Sequence, residues 1–280
     1  MASALAGFRR RIKASLWKRA GRTPGTYGSN AAKWIAIETG ITVPPNGKYG
    51  WDDAGLDERV VEYPWLFERM RDLVGADRVL DAGSVLNHGR ILGAWKRARL
   101  PAVSIVTLGY EGNAVVSNEV RYEFADLRAL PYRDEWFPVV LSLSTLEHVG
   151  LDNAIYGAAA GAALKSADPG AGVLQAMAEL HRVTRRGGTL LVSVPYGARS
   201  NRGWFRVLDA DELGRLVGAP GWRNVQTRYF RALREGWREC SAADARDAGY
   251  NEPRGRSGTQ SAPPWVAAAE AVALVELRRD

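Results

Sequence analysis

The stretch Asp77 to His88, DRVLDAGSVLNH, limits what this chain can fold into more than any other. A short apolar run, Val79 and Leu80, ends on the acid Asp81. Gly83 comes next, then small and polar residues, then a helical pattern. This is a strand, a tight turn and a helix start, the first βα unit of a nucleotide-binding α/β sheet. Gly83 would let the backbone come close to a ligand, and helix N-terminal amides would face it. A dinucleotide fingerprint wants three glycines, and Val85 and Asn87 hold the later glycine places. By itself, the stretch also fits a buried strand and its turn.

From residue 77 the chain alternates strand and helix. Strands are expected over 78–82, 102–108, 121–125, 138–145, 189–194, 224–233 and 271–277, with helices over 89–99, 169–183 and 209–217. The fourth strand is nearly all apolar and should be buried on both faces. Arg185-Arg186-Gly187-Gly188 reads as a helix stop, bases followed by glycine. Asp209 with Glu212 three residues on is a helix-start signal. The alternation predicts an α/β fold, a mostly parallel sheet with helices on both faces. Residues 76–280 form this domain, with 236–268, rich in Gly, Arg and Ser, as an excursion or lid. Residues 23–75 read as a connector and helical cap. In the connector a short helix surrounds Trp34, and in the cap Pro64 breaks the pattern between 56 and 74.

Charge is unevenly spread. The chain has 38 bases and 31 acids, a difference of seven, and residues 1–22 hold seven bases and no acid. The rest is therefore formally neutral. Leu5, Phe8, Ile12 and Leu16 at helical spacing make 1–22 a basic amphipathic helix. It fits peripheral contact with an anionic membrane, or a solvated helix packed on its own domain or a partner. No run approaches the length of a membrane span, and no secretory apolar core is seen at the start. The single cysteine, Cys240, excludes an internal disulfide and a cysteine-based zinc cluster, and fits a reducing, cytoplasmic setting. Acids are mixed into the Arg-rich stretch 231–256, so nucleic acid is not expected as a partner.

Ligands of such sheets bind outside the carboxyl ends of the strands, where strand order reverses. The residues just after the expected strands are Asp81, Gly83, Ser84 and Asn87; Tyr110 and Glu111; Asp126 and Leu127; Ser144, Thr145, Glu147, His148, Asp152 and Asn153; and Pro195 and Tyr196. His148 and Asp152 sit four apart and would share a face if their segment is helical. His148 as general base with Asp152 orienting it is one reading; a Glu147-His148 pair that only shapes the turn is the other. His181 falls within an amphipathic helix and reads as structural; His88 reads as a cap or wall residue.

Three segments, RVLDAGSVLNH, YEFADLRALPYRDEWFPVVLSLSTLEHVG and ELHRVTRRGGTLLVSVPYG, carry a resemblance. Together they resemble the class I S-adenosylmethionine-dependent methyltransferases over about residues 77–197. Gly83-Ser84-Val85-Leu86-Asn87-His88, Ser144 through Asn153 and Tyr156 are similar to methyltransferase-like proteins of bacterial surface-polysaccharide gene clusters. The resemblance implies a Rossmann-like sheet with its last strand antiparallel and S-adenosylmethionine as cofactor. It implies that Asp81 organises the first loop, that Gly83 allows close approach, and that the Asn87 amide replaces a backbone contact. Asp126 would accept from the adenine amino group, the Leu127 amide would meet a ring nitrogen, and Ser144 and Thr145 would line the floor.

The family usually ends strand two with an acid for the ribose hydroxyls. Here the strand ends Thr107-Leu108-Gly109-Tyr110, and the nearest acid is Glu111. Glu111 serves after a shifted turn, or the domain is a degenerate module that binds a partner without methylating. The enzyme reading is methyl transfer to a hydroxyl of a sugar, glycan or related small molecule.

Overall fold

The computed structural model describes residues 30–42, 56–73, 75–109, 120–154, 165–233, 236–251 and 269–280. The basic segment 1–22, Glu111 and Tyr156 lie outside the described residues. Among the described residues, two helices, α1 (Asn30–Thr42) and α2 (Arg59–Asp72), precede the sheet. Then come β1 (Arg78–Ala82), α3 (Gly89–Arg97), β2 (Ala102–Thr107), β3 (Val120–Phe124) and β4 (Phe137–Leu143). A single 3-10 turn, Leu146–His148, leads on to α4 (Pro169–Val183) and β5 (Thr184–Pro195). The short strands β6 (Ser200–Asn201) and β7 (Arg206–Val207) pair with each other. The chain closes with α5 (Ala210–Val217), β8 (Trp222–Leu233), β9 (Gly236–Cys240), α6 (Ala242–Ala245) and β10 (Ala271–Arg279).

The eight main strands lie in the order β3-β2-β1-β4-β5-β10-β8-β9. From β3 to β5 all pairs are parallel, and β10, inserted between β5 and β8, is antiparallel to both. This is the mostly parallel sheet with an antiparallel end that the alternation and the resemblance predict. Strand order reverses between β1 and β4, so a crevice opens at their carboxyl ends. Side chains alternate as a pleat requires. Val79, Ile105, Val139 and Leu141 join one core with α1 and α2; Leu80, Val106, Val140 and Leu190 join the other with α4 and α5.

Three expectations need correction. Pro64 does not break its helix: α2 runs through it, and Pro64 is buried inside. A mid-helix proline costs about 3 kcal/mol. Its neighbours Tyr63, Trp65, Leu66 and Phe67 are all buried, each stabilising by about 1.5–3 kcal/mol, so packing outweighs the break. Gly40 of α1 makes room, since a Cβ there would stand 2.5 Å from the Pro64 Cγ.

The second correction concerns the start of β5: α4 ends at Val183, as the stop signal expects, but the strand begins at Thr184 rather than 189, and Arg185 to Gly188 form an irregularity within it. Phe137 pairs with Thr184 and Val139 with Thr189, so the intervening residues bulge out, with Gly187 at φ 68°.

Third, the part of 236–268 that is described is no excursion. β9 pairs antiparallel with β8, starting at Gly236, φ 113°. Trp237 is 0% exposed and donates from Nε1 to the Leu56 carbonyl at 3.0 Å.

Candidate functional site

A cleft of about 210 Å³ opens at the carboxyl ends of β1, β2 and β4, where the strand order reverses. Its walls come from the β1 loop (Gly83, Ser84, Val85), the β2 end (Thr107, Leu108), the β3 end (Asp126, Leu127, Arg128) and the β4 end (Ser144, Thr145, His148). Arg59 and Tyr63 of α2 and His88 complete it.

Asp81 fixes the first loop. Its carboxylate is fully buried and accepts from the Val85 amide at 3.1 Å and the Leu86 amide at 2.7 Å. Charge-assisted bonds of this kind are worth about 1.5–3 kcal/mol each. They hold Gly83 at φ 132° and Ser84 at φ 68°. Gly83 admits no side chain, because a Cβ would fall 1.9 Å from the Thr145 Oγ1. The Tyr63 hydroxyl clamps the loop from above, donating to the Val85 carbonyl at 2.6 Å. The Ser84 Oγ is buried in the cleft with no partner among the described residues. An orphaned hydroxyl beside a glycine that permits close approach fits the polar end of a bound ligand.

The floor is Ser144, a non-glycine residue at φ 43°. Its amide donates to the Ser193 carbonyl and Oγ, at 3.0 and 2.9 Å. Its hydroxyl donates 2.6 Å to Glu62 Oε1, which also accepts from the Ser193 hydroxyl at 2.5 Å. Glu62 is 0% exposed and pairs with Arg59 at 2.5 Å. α2 thus supplies the floor's anchor, which sequence reasoning misses. The one signal for it is a glutamate inside the apolar run Val60 to Phe67.

On the β3 side, Arg128 takes both oxygens of Asp126, from its amide at 2.8 Å, Nε at 3.0–3.1 Å and Nη2 at 2.6 Å. Asp126 and Leu127 line the cleft. The resemblance does not imply an Arg partner for the acid. Asn87 is corrected: it turns away, its Oδ1 accepting from the Tyr122 hydroxyl of β3 at 2.6 Å, and it is not among the cleft residues.

The His148–Asp152 dyad is also corrected. The segment is a single 3-10 turn rather than an α-helix, so residues four apart do not stack. Asp152 is exposed and accepts from the Ala154 amide at 3.0 Å. The imidazole is oriented instead by β6–β7: Nδ1 lies 2.8 Å from the Trp204 carbonyl, and the ring stacks on Trp204 at 5.2 Å. A carbonyl only accepts, so Nδ1 carries the proton and Nε2 the lone pair. Burial pushes the His148 pKa down to about 4, keeping the ring neutral. Glu147, buried beside it with Oε1 3.9 Å from His148 Nε2, is pushed well above the usual carboxylate range by burial. Tyr196 packs on Tyr229 at 4.7 Å and takes no part in the cleft, whereas Trp204 and Phe205 back His148. His181 packs edge-on to Trp222. No cluster suited to a metal ion occurs among the described residues, and none of their helices is long and apolar enough to cross a membrane.

No family model matches the chain, and no curated protein matches it. Solved structures do resemble it distantly. A 1,6-didemethyltoxoflavin-N1-methyltransferase of Burkholderia thailandensis, with S-adenosylhomocysteine bound, is 14% identical over 100% of this chain and 90% of its own, TM-score 0.47. An S-adenosylmethionine dependent methyltransferase of Mesorhizobium loti is 13% identical, covering 78% of this chain and 97% of its own, also at 0.47. The cyclase SpnF is 16% identical, covering 92% and 97%, at 0.45. Likeness this distant does not bear on the reaction.

Proposed function

We propose that this chain is an S-adenosylmethionine-dependent methyltransferase acting on a hydroxyl of a sugar, glycan or related small molecule. The observation that carries the reading is the β1 loop. Asp81 holds two amides, Gly83 leaves the backbone bare, and Ser84 lines the cleft with its buried hydroxyl unpartnered among the described residues. Ser84, with the backbone at Gly83, would hold the amino-acid end of the cofactor. Asp126 and Leu127 would hold its adenine, and Ser144 would lie beneath. When bound, S-adenosylmethionine supplies a sulfonium methyl group that moves by in-line displacement, a reaction helped chiefly by positioning.

His148 is then the group able to take the acceptor's proton. Its tautomer is set by the Trp204 carbonyl, which puts the lone pair on Nε2, and its low pKa leaves it unprotonated near pH 7. A pKa of about 4 makes it a weak base, suited to a proton that leaves late, as the oxygen becomes positively charged.

A second reading is favoured by Arg128, which occupies both oxygens of Asp126. Under it the adenine wall is closed and the domain is a non-catalytic module. One experiment separates the two: titration of S-adenosylmethionine into the wild type, Asp126→Ala and His148→Ala. The enzyme reading expects binding weakened by Asp126→Ala and unchanged by His148→Ala. Equal loss in both variants would count against His148 as base, and no binding to wild type would leave the module reading.

A further inference from the structure

A second cavity of about 280 Å³ adjoins the cleft, lined by Lys33 and Trp34 of α1, Arg59 and Tyr63 of α2, and His88. It shares Arg59, Tyr63 and His88 with the cleft, so the two lie on either side of the same side chains. We infer that this cavity, with Lys33 and Arg59 on its wall, receives the anionic group of the acceptor, a carboxylate or phosphate on a sugar.

The wall composition argues for an anion. It holds two permanent cations, an imidazole and two aromatic rings, and no carboxylate. The acids that pair with the cations stand outside the lining: Asp57 lies 2.5 Å from Lys33 Nζ and Glu62 lies 2.5 Å from Arg59 Nη1. A guanidinium has five donors, and among the described residues the Arg59 side chain bonds only through Nη1. Arg90, paired with Glu38 at 3.1 Å, adds a further cation 5.8 Å from the Trp34 ring. The field is felt at His88, whose pKa is lowered first by burial and then by Arg59 and Lys33. Trp34, edge-on to His88 at 5.7 Å, supplies the flat apolar surface on which a sugar ring packs.

That the occupant is an acceptor rests on the methyl-transfer reading; the anion preference rests on the cavity itself. The test is calorimetric titration of glucuronate, glucose 1-phosphate and glucose into the full chain, its Lys33→Met and Trp34→Ala variants, with S-adenosylhomocysteine titrated in parallel. The inference expects at least one anion to bind about tenfold or more tighter than glucose. Preference for glucuronate assigns a carboxylate, and preference for glucose 1-phosphate a phosphate. Lys33→Met should remove most of the anion preference, and Trp34→Ala should weaken all three sugars, with S-adenosylhomocysteine bound as in wild type. Equal affinity for glucose, no binding of either anion, or anion binding unmoved by Lys33→Met overturns the inference. Failure of S-adenosylhomocysteine to bind while the anions still do contradicts the methyl-transfer reading and supports the anion cavity.

Discussion

The residue that does most for the cleft is Asp81, because one buried carboxylate satisfies two amides of the loop. Asp81→Asn leaves one side of the side chain as a donor facing an amide. We expect a loss of about 2–3 kcal/mol in urea unfolding, with weaker S-adenosylhomocysteine binding. Gly83→Ala should be at least as severe, since φ 132° is strained for alanine and its Cβ would overlap Thr145. An alanine variant with wild-type stability would contradict the described loop. His148 titrates at about 4 when folded against an ordinary 6.5. Between those values the unfolded chain binds more protons at this site, so its stabilising effect is fully present above 6.5 and lost as pH falls through 4. The stability advantage of wild type over His148→Gln should therefore grow by on the order of 3 kcal/mol from pH 4 to 6.5. Glu58 has the opposite sign. Burial first, then Asp57 and Glu62, raise it to about 7, so its contribution is present below its usual value of 4.5 and fades as pH rises through 7. Comparing variant with wild type cancels Glu58, and a difference constant with pH would contradict the buried neutral imidazole.

At the scale of elements, α2 joins the fold to the site. It brings Glu62 under the floor, Tyr63 over the first loop and Arg59 into the cleft. Gly40→Ala in α1 tests this coupling, because its Cβ would press on the Pro64 ring. Separation of the two helices should lower stability by about 1–3 kcal/mol and disturb the Lys33 and Trp34 wall; the expected result is a lower urea midpoint with weaker sugar binding. β1 and α4 are legible in the sequence because their periodicity and caps agree: an apolar run before Asp81, and Asp168 with Pro169 at the helix start. α2 is not, because the local rule for Pro64 points against the tertiary packing that prevails. The same limit applies to the site. Asp81 lies at the end of a strand, Gly83, Ser84, Ser144 and His148 follow strands, and topology alone places them. Glu62 lies 82 residues from Ser144, and nothing local announces that pairing. The orientation of His148 is hidden for a related reason: its partner Trp204 is 56 residues away, whereas Asp152 is close in sequence.

For the whole molecule, the antiparallel end of the sheet matters as much as the parallel half. Trp237 of β9 reaches back to Leu56, just before α2, joining one edge of the sheet to the helices over the cleft. Trp237→Ala should cost about 3–5 kcal/mol, read as a large fall in the urea midpoint; a loss below about 1 kcal/mol would show that β9 is dispensable. The central claim is that the cleft where strand order reverses holds S-adenosylmethionine through the Asp81 loop. Calorimetric titration of S-adenosylhomocysteine into the full chain, wild type beside Asp81→Asn, tests it most directly. The account predicts saturable binding of one molecule per chain in wild type, weakened about tenfold or more in the folded variant. No binding by wild type at about 1 mM ligand, or equal binding by the two proteins, would contradict it.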